Sequence, residues 1–306
     1  MNNKSFTLIE ILVVVLVIGI VSSFVYLSTE PFRQDADQSK VLMFSTKLNN
    51  SLAENIIGEW NLSEGSGSNV YDSSDNKNAG AITGGAVWQS RNNCVLDRCL
   101  LFDGIDDCIY ASDIPVYEDL TDEMSAFIWA KGNEQISKSF FGQGGAGVGI
   151  NKRSWRLMTG DWSFEDKLAV YLSDDGTASF GHRKYYYTDS AIAFDNYWHH
   201  VGFTWNSGTL KLYVDGKEAS VTKDNDDAIT SLYNTDADVS IGCDVTIPPP
   251  ATYLFAGYLD EAYIFNKQAS ITEIDNIYLS GLNKLFINGQ IAEEEYLDKV
   301  KLASVE

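Results

Sequence analysis

The first apolar segment of the chain runs from Phe6 to Leu27, and its ionisable side chains are Glu10 and the phenol of Tyr26. As an α-helix with a rise of about 1.5 Å per residue, it would span about 33 Å, close to the thickness of a bilayer core. It is longer than the apolar region of a secretory signal peptide, which has about 7–15 residues. The pattern therefore predicts a membrane-spanning helix with one carboxylate, which is costly in lipid unless it has a partner.

A second helical pattern follows Pro31, where we expect the helix to kink or restart. Beyond this proline, apolar residues recur at spacings of three and four, as an amphipathic helix requires. They are Val41, Leu42, Phe44, Leu48, Leu52, Ile56 and Ile57. The sequence predicts one long, broken helix over residues 6–57, preceded by a short segment, residues 1–5. Lys4 in that segment fits the positive-inside rule, which would leave everything after Leu27 outside the membrane.

Residues 58–268 show short β-rich runs separated by clusters of Gly, Asn, Asp and Ser, which predicts an all-β sandwich. In the run H-H-V-G-F-T-W-N-S-G-T-L-K-L-Y-V-D-G-K, apolar and polar residues alternate on both sides of N-S-G-T, and D-G makes a second tight turn. The apolar positions are Val201, Phe203, Trp205, Leu210, Leu212 and Val214. This run predicts an antiparallel meander with one buried face.

Residues 269–306 depart from the β pattern and predict a short hairpin of two helices. The first helix would carry Ile274, Ile277, Tyr278, Leu282, Leu285 and Phe286, and the second Tyr296, Leu297 and Val300. The hairpin would either dock between subunits or cover the sandwich, and a cover is the default interpretation.

The chain of 306 residues is strongly acidic, with 43 Asp and Glu against 22 Lys and Arg and a formal net charge of −21. Such a surface repels nucleic acids and anionic lipid headgroups, so we expect no nucleic-acid partner. Hydrophobic residues make up 44% of the chain and aromatic residues 12%, which favours a largely globular protein.

The four cysteines allow three pairings. Cys94 and Cys99 bracket V-L-D-R, a length that suits a disulfide across a tight turn, and this leaves Cys108 and Cys243 for a second bond. Disulfides persist outside the cytoplasmic membrane. We expect both bonds, with buried reduced cysteines as the alternative for the second pair.

A calcium loop is a further expectation. Side chains with oxygen ligands occupy alternate positions at Asp72, Ser74, Asn76 and Asn78. Asp260 shares strand parity with Ala262 and Ile264 and would point inward, where a carboxylate needs a partner. A Ca²⁺ ion shared by Asp72, Asn78 and Asp260 would supply one. The alternative is an Asx-rich turn plus a hydrogen-bonded aspartate.

Three rings are candidate ligand contacts: Trp155, Trp162 and Tyr186, the last within a run of three tyrosines. They lie beside polar or glycine-bearing segments, where rings can stack on a sugar face. The alternative is that these rings close one end of the sandwich.

The run K-S-F-T-L-I-E, followed by I-L-V-V-V-L-V-I-G-I, closely resembles the N-terminus of bacterial type IV prepilins and of the related pseudopilins. The resemblance implies a leader peptide of residues 1–5, cut by a prepilin peptidase between Ser5 and Phe6, and methylation of Phe6. Ser5 departs from the glycine that usually precedes the cut. The resemblance also implies that Glu10 pairs with the amino terminus of a neighbouring subunit, which would satisfy its charge in the filament.

A second resemblance covers residues 58–268. The segments W-N-L-S-E-G-S-G, L-F-D-G-I-D-D, W-H-H-V-G-F-T-W, L-Y-V-D-G-K and G-Y-L-D-E-A-Y-I-F-N are together similar to the laminin-G-like, concanavalin A-like jelly roll. This implies a binding module, often lectin-like, whose ligands lie at loops on one edge or on the concave sheet.

Catalysis is not expected. Glucanases with this fold need two carboxylates about 5–5.5 Å apart, and the sequence lacks an E-x-D-x-x-E strand. It also lacks G-x-S-x-G and H-E-x-x-H.

The sequence thus predicts a type IV pilin-like subunit, held in the cytoplasmic membrane before assembly into an extracellular, homo-oligomeric filament. Its head would bind a surface glycan or protein in adhesion. The alternatives are a pseudopilin or minor pilin of a secretion or DNA-uptake system and, from another class, a membrane-anchored glycan-active enzyme.

Overall fold

The structure is a computed structural model that describes residue 15 and residues 53–133, 136–147, 150–161, 167–192, 196–244 and 252–303. The segment 1–5, the cleavage site, Glu10 and the proposed kink at Pro31 lie outside these residues, as does most of the helix predicted over residues 6–57. None of the helices in the described part of the chain is both long and apolar enough to cross a membrane. Leu52–Glu306 form one compact unit.

The described residues form nineteen strands and two α-helices. The strands are β1 (Ile56–Trp60), β2 (Asn69–Val70), β3 (Gly80–Thr83), β4 (Val87–Ser90), β5 (Arg98–Asp103), β6 (Cys108–Ala111), β7 (Glu123–Lys131), β8 (Ser139–Gln143), β9 (Ala146–Gly147), β10 (Ile150–Asn151), β11 (Trp155–Thr159), β12 (Leu168–Ser173), β13 (Arg183–Thr188), β14 (His199–Asn206), β15 (Thr209–Val214), β16 (Lys217–Glu218), β17 (Val221–Asp226), β18 (Val239–Ile241) and β19 (Ala256–Phe265). The helices are α1 (Ile271–Ile287) and α2 (Glu293–Ala303).

Most strands belong to two packed antiparallel sheets. The eight-stranded sheet has the order β16-β15-β14-β7-β19-β5-β4, with β1 also paired to β19. The nine-stranded sheet has the order β17-β13-β12-β11-β8-β18-β6-β3-β2, and β9 and β10 form a separate hairpin. This is the all-β sandwich that the sequence predicts.

The main core lies between the two sheets, because alternate side chains of each strand point inward. Trp155 and Leu157 of β11 face Phe203 and Trp205 of β14, and all four are at most 2% exposed. The ring centroids of Trp155 and Phe203 lie 5.7 Å apart, so the contact joins the two sheets directly.

The end of the predicted N-terminal helix is wrong. Ile56 and Ile57, expected in its last turn, lie in β1, where Ile56 is opposite Phe265 and Gly58 is opposite Ile264 of β19. Ile57 is buried at 5% exposure. Pairing with the long strand β19 and burial of a β-branched side chain outweigh the helical spacing of these residues.

The predicted meander is confirmed, since β14 pairs with β15 and β15 with β16. The prediction that only one face of this meander is buried is incomplete, because helix α1 also covers the outer face of the eight-stranded sheet. Ile274 and Ile277 of α1 pack with Phe127, Tyr213 and Phe265 there. The first helix of the C-terminal hairpin therefore covers the sandwich, as the default interpretation of the sequence predicts.

Helix α1 begins with a capping box, a reciprocal arrangement that satisfies the exposed amides of a first helical turn. The Ser270 hydroxyl accepts from the Glu273 amide, and the Glu273 carboxylate accepts from the Ser270 amide. Helix α2 carries no buried residue and contacts α1 through Phe286 and Tyr296, whose ring centroids lie 4.7 Å apart.

Both predicted disulfides are present. Cys94, which precedes β5, pairs with Cys99 within β5. Cys108, at the start of β6, pairs with Cys243, just beyond β18. The Cα atoms are 5.4 Å apart in each pair. Because β6 and β18 are neighbours in the nine-stranded sheet, the second bond fixes two strands that are far apart in sequence.

Candidate functional site

Two of the three predicted ligand-binding rings are core residues, which corrects that expectation. Trp155 is 2% exposed and packs edge-on against Phe141 at 5.1 Å. Tyr186 is also 2% exposed, and its hydroxyl donates to Asp226. Neither ring face is available to a sugar. Trp162 lies outside the described residues.

The predicted calcium loop is organised by hydrogen bonds to Asp72. One carboxylate oxygen, Oδ1, accepts from the amides of Glu59 at 2.9 Å and Ser74 at 2.8 Å. The other, Oδ2, accepts from the Asn78 amide at 2.8 Å. The Asn78 side chain donates to the carbonyl of Ser112 at 2.8 Å. This is the Asx-rich turn that the sequence offers as the alternative.

Asp260 has other partners. Its Oδ2 accepts from the amides of Val95 at 2.9 Å and Leu96 at 3.0 Å. Burial and the neighbouring charge of Glu261 raise the pKa of Asp260 well above its ordinary value. The amides therefore partner one oxygen of this inward carboxylate, while Oδ1 is buried and accepts no hydrogen bond in the described part of the chain. The calcium site stays a prediction, and an unchanged melting temperature in excess EDTA would contradict it.

Two other groups of three in the described part of the chain bring their donor atoms within 4.8 Å of one another: Asp174, Asp175 and His182, and Asp103, Asp106 and Asp107. Neither group contains a predicted ligand, and exposed acidic groups of this kind are common without a metal.

The feature with the most ligand-like chemistry is a cleft on the outer face of the nine-stranded sheet. Strand register places Arg156 of β11 opposite Tyr171 of β12, and Tyr171 opposite Tyr185 of β13. Because Trp155 and Leu157 point into the core, these three residues point outward. We call this feature the outer cleft. It has a volume of about 260 Å³, and its charged and aromatic lining includes Arg153, Arg156, Arg183, Tyr171, Tyr185 and Tyr253.

Arg156 forms the floor of the outer cleft. Its guanidinium makes an ion pair with Asp244, and both side chains are almost fully buried. The same guanidinium lies over the ring of Tyr253, 4.6 Å from the centroid. A cation–π contact and a buried ion pair together fix the direction of the Tyr253 ring, which is 40% exposed.

Two further arginines line one end of the cleft. Arg183, the first residue of β13, lies over the exposed ring of Phe180 at 4.3 Å, and its guanidinium donates to the carbonyl of Ala178 at 3.0 Å. Arg153 is held through its backbone amide, which donates to the carbonyl of Gly176 at 3.1 Å. Three of the six arginines in this acidic chain therefore line a single cleft.

The electrostatics of the outer cleft differ between its two ends. Burial raises the pKa of the Tyr171 phenol, and the positive charges of Arg153, Arg183 and Arg156 oppose that rise. Burial also raises the pKa of Tyr185, where the negative charges of Asp161 and Asp224 add to the effect. Tyr171 and Tyr185 are cross-strand neighbours, so the two ends of the cleft are defined by the surroundings of their phenols. The hydroxyl of Tyr171 reaches the carbonyl of Thr177 between β12 and β13, on the side of the arginines, whereas the two aspartates lie beside the Tyr185 phenol.

The outer cleft continues toward a neighbouring hollow of about 500 Å³, with which it shares Ser137, Asp161 and Tyr253. Exposed aromatic surface, guanidinium donors and carboxylate acceptors together can hold a polar ligand by its face and by its edges. Sequence reasoning selected the correct tyrosine run but the wrong member, and it missed all three arginines. Strict alternation from the buried Trp155 would have pointed to Arg156.

The two packed antiparallel sheets form a concanavalin A-like jelly roll. Residues 103–275 match the concanavalin A-like lectin/glucanases superfamily, and residues 1–26 match the prokaryotic N-terminal methylation motif. The chain therefore belongs to the concanavalin A-like lectin/glucanases superfamily. Both family resemblances expected from the sequence are confirmed. No curated protein sequence matches the chain at a significant level.

Solved structures show the same fold at low sequence identity. The binding domain of Paraclostridial Mosquitocidal Protein 1 is 12% identical, with a TM-score of 0.56, over 76% of this chain and 53% of that one. The receptor binding domain of botulinum neurotoxin C/D mosaic serotype is 16% identical, with a TM-score of 0.53, over 75% and 52%. The chain thus spans about half the length of these toxin domains.

The alignment with a third similar structure covers almost the whole of that structure. Domain 4 of AbnA, a GH43 extracellular arabinanase from Geobacillus stearothermophilus, in complex with arabinotriose, is 16% identical to this chain. The match has a TM-score of 0.51 and covers 73% of this chain and 98% of that domain. At these identities the three structures establish the fold alone.

Proposed function

We propose that this chain is a type IV pilin-like subunit that assembles into an extracellular filament and displays its jelly-roll head as a binding module. The observation that carries the proposal is the methylation motif over residues 1–26, which contains Glu10 within an apolar run. A generic membrane anchor does not require that carboxylate.

Processing comes first in this proposal. A prepilin peptidase removes residues 1–5 between Ser5 and Phe6, and the new terminus at Phe6 is methylated. The apolar segment holds the subunit in the cytoplasmic membrane. In the filament, Glu10 pairs with the terminal amine of a neighbouring subunit, so the cost of a lone carboxylate in lipid favours assembly.

The head supplies the binding function. The similar solved structures include toxin binding domains and an arabinanase domain in complex with arabinotriose, which supports a ligand-binding head over a catalytic one. The outer cleft offers aromatic and charged groups for a surface glycan or protein. Attachment of the filament to that ligand would be adhesion.

A pseudopilin or minor pilin of a secretion or DNA-uptake system is the second candidate, because the same N-terminal motif serves it. The stoichiometry of purified filaments separates the two, since a major subunit dominates the filament mass.

The test compares Glu10→Gln with Glu54→Gln, a matched loss of charge at an exposed residue beyond the membrane segment. Filaments sheared from the native host are weighed and probed for the chain. We expect wild-type yield for E54Q and a severe loss for E10Q, with the subunit retained in the membrane. Equal yields for the two variants, or filaments that lack the chain, would contradict the proposal.

A further inference from the structure

We propose that the outer cleft binds a carboxylate-bearing saccharide, with the carboxylate at the Tyr171 end and ring hydroxyls at the Tyr185 end. This inference rests on the proposed binding role of the head but not on filament assembly. It assigns the class of ligand from the placement of charges in the cleft.

The cationic end has two arginines available to a ligand. Arg156 is already neutralised by Asp244, with which it forms a buried ion pair. Arg153 and Arg183 line the same end of the cleft, and the charges of both act on the Tyr171 phenol. A guanidinium presents a planar fork of donors that matches a carboxylate, so this end favours an anionic group.

The acidic end selects for hydrogen-bond donors. Asp161 and Asp224 line the cleft beside Tyr185, and both charges act on its phenol. A carboxylate only accepts hydrogen bonds, so sugar hydroxyls can bind here while a second anionic group is repelled. A ligand with dense negative charge throughout, such as a polyphosphate, therefore fits one end and is rejected at the other.

The aromatic rings that line the cleft supply a surface for the apolar face of a sugar ring. Tyr253 is 40% exposed, and Arg156 holds its ring from one side at 4.6 Å. Tyr171 lies opposite Arg156 in the strand register. Its hydroxyl donates a hydrogen bond to the carbonyl of Thr177 at 2.6 Å, which fixes the orientation of the ring. Rings held in one orientation lose little conformational freedom when a ligand stacks on them.

The experiment titrates the full chain, purified in detergent, with an oligogalactoside that ends in one galacturonate and with the neutral oligogalactoside of the same length. These two probes differ by a single carboxylate at one end. We expect the acidic probe to bind and the neutral one to bind at least about tenfold more weakly. Raising NaCl from about 0.05 M to about 0.5 M should weaken binding of the acidic probe, because salt screens exposed charges.

Arginine variants locate the site. Arg153→Gln and Arg183→Gln should each weaken binding of the acidic probe about tenfold, a change of about 1.4 kcal/mol. The matched control is Arg98→Gln, which removes the same charge from an exposed position on β5 of the other sheet and should bind like wild type. Circular dichroism confirms that each variant is folded.

Three outcomes would overturn the inference: equal affinity for the two probes, no binding of either probe, or wild-type affinity in both R153Q and R183Q. Binding of a carboxylate-bearing peptide in place of either saccharide would overturn it as well. Filament yield of R153Q and R183Q is measured in parallel and should equal wild type. A failure of saccharide binding is thereby distinguished from a failure of the filament proposal.

Discussion

Arg156 and Asp244 form a buried ion pair beneath the outer cleft, with side chains 11% and 4% exposed. The two residues are 88 positions apart in the sequence, and their contact joins β11 to the segment that follows β18. The pair sets the position of the Tyr253 ring, so the shape of the cleft depends on it.

The first prediction concerns this pair. Asp244→Ala leaves the Arg156 guanidinium buried without its partner, so the free energy of unfolding should fall by about 3 kcal/mol. The control is Asp236→Ala, which breaks a contact of 2.6 Å with Lys152 in which the aspartate is 75% exposed. That change should cost less than about 1 kcal/mol. Urea unfolding of both variants measures the difference, and equal costs would contradict the buried pair.

The second prediction concerns the covering helix. Gly281 of α1 faces Trp129 so closely that an added Cβ would lie 2.5 Å from the indole. Gly→Ala inside a helix ordinarily stabilises it by about 0.5–1 kcal/mol. Here Gly281→Ala should destabilise the head by about 1–3 kcal/mol, because the overpacked contact must open.

The neighbouring change Ser280→Ala serves as the control for the covering helix, since Ser280 is not fully buried. It should change stability by less than about 0.5 kcal/mol. A stabilising G281A would mean that α1 does not rest against Trp129. Thermal unfolding of the two variants under identical conditions provides the measurement.

The third prediction is a pH dependence that originates at His200. Its imidazole is fully buried between Phe127 and Trp129, with ring centroids 5.3 Å away in each case. Neither ring nitrogen has a hydrogen-bond partner among the residues that the structure describes. Burial lowers the pKa of His200 from 6.5 to about 4, and the charge of Asp215 opposes the shift only in part.

The sign follows from proton binding. Below pH 6.5 the unfolded chain protonates this histidine, whereas the folded chain remains neutral until about pH 4. The stability that neutral His200 contributes is complete above its unfolded pKa and is lost as the pH falls toward 4, by about 3 kcal/mol.

Urea unfolding at about pH 7.5 and about pH 4 measures this loss in wild type and in His200→Gln. The variant should lose about 3 kcal/mol less than wild type over this range. His182→Gln, at an exposed histidine whose pKa is raised by its hydrogen bond to Asp174, should lose at least as much stability as wild type over this range. Parallel pH profiles for wild type and H200Q would contradict the assignment.

The parts of the fold that were predicted correctly are those that a local sequence pattern indicates. Alternation in β14 and β15 identified the meander, and the short spacing of Cys94 and Cys99 identified the first disulfide. The helical spacing of the tail identified α1. Each of these signals lies within one short stretch of chain, so it can be recognised without knowledge of the distant segments that pack against it.

Errors arose where partners distant in sequence decide the outcome. Ile56 has helical spacing with its predecessors, but it pairs with Phe265 as part of a strand because β19 lies beside it. Tyr186 and Tyr185 look alike in sequence, yet a shift of one position separates the core from the outer cleft. The Arg156–Asp244 contact required a sheet order that no local pattern contains.

The most direct test of the filament account is mass spectrometry of the N-terminal peptide from protein made by its native host. The account predicts a peptide that begins at Phe6 with a methylated amine, which would establish processing as a prepilin. An intact Met1, or cleavage after Ser23, would contradict it and leave Glu10 without a partner in the membrane.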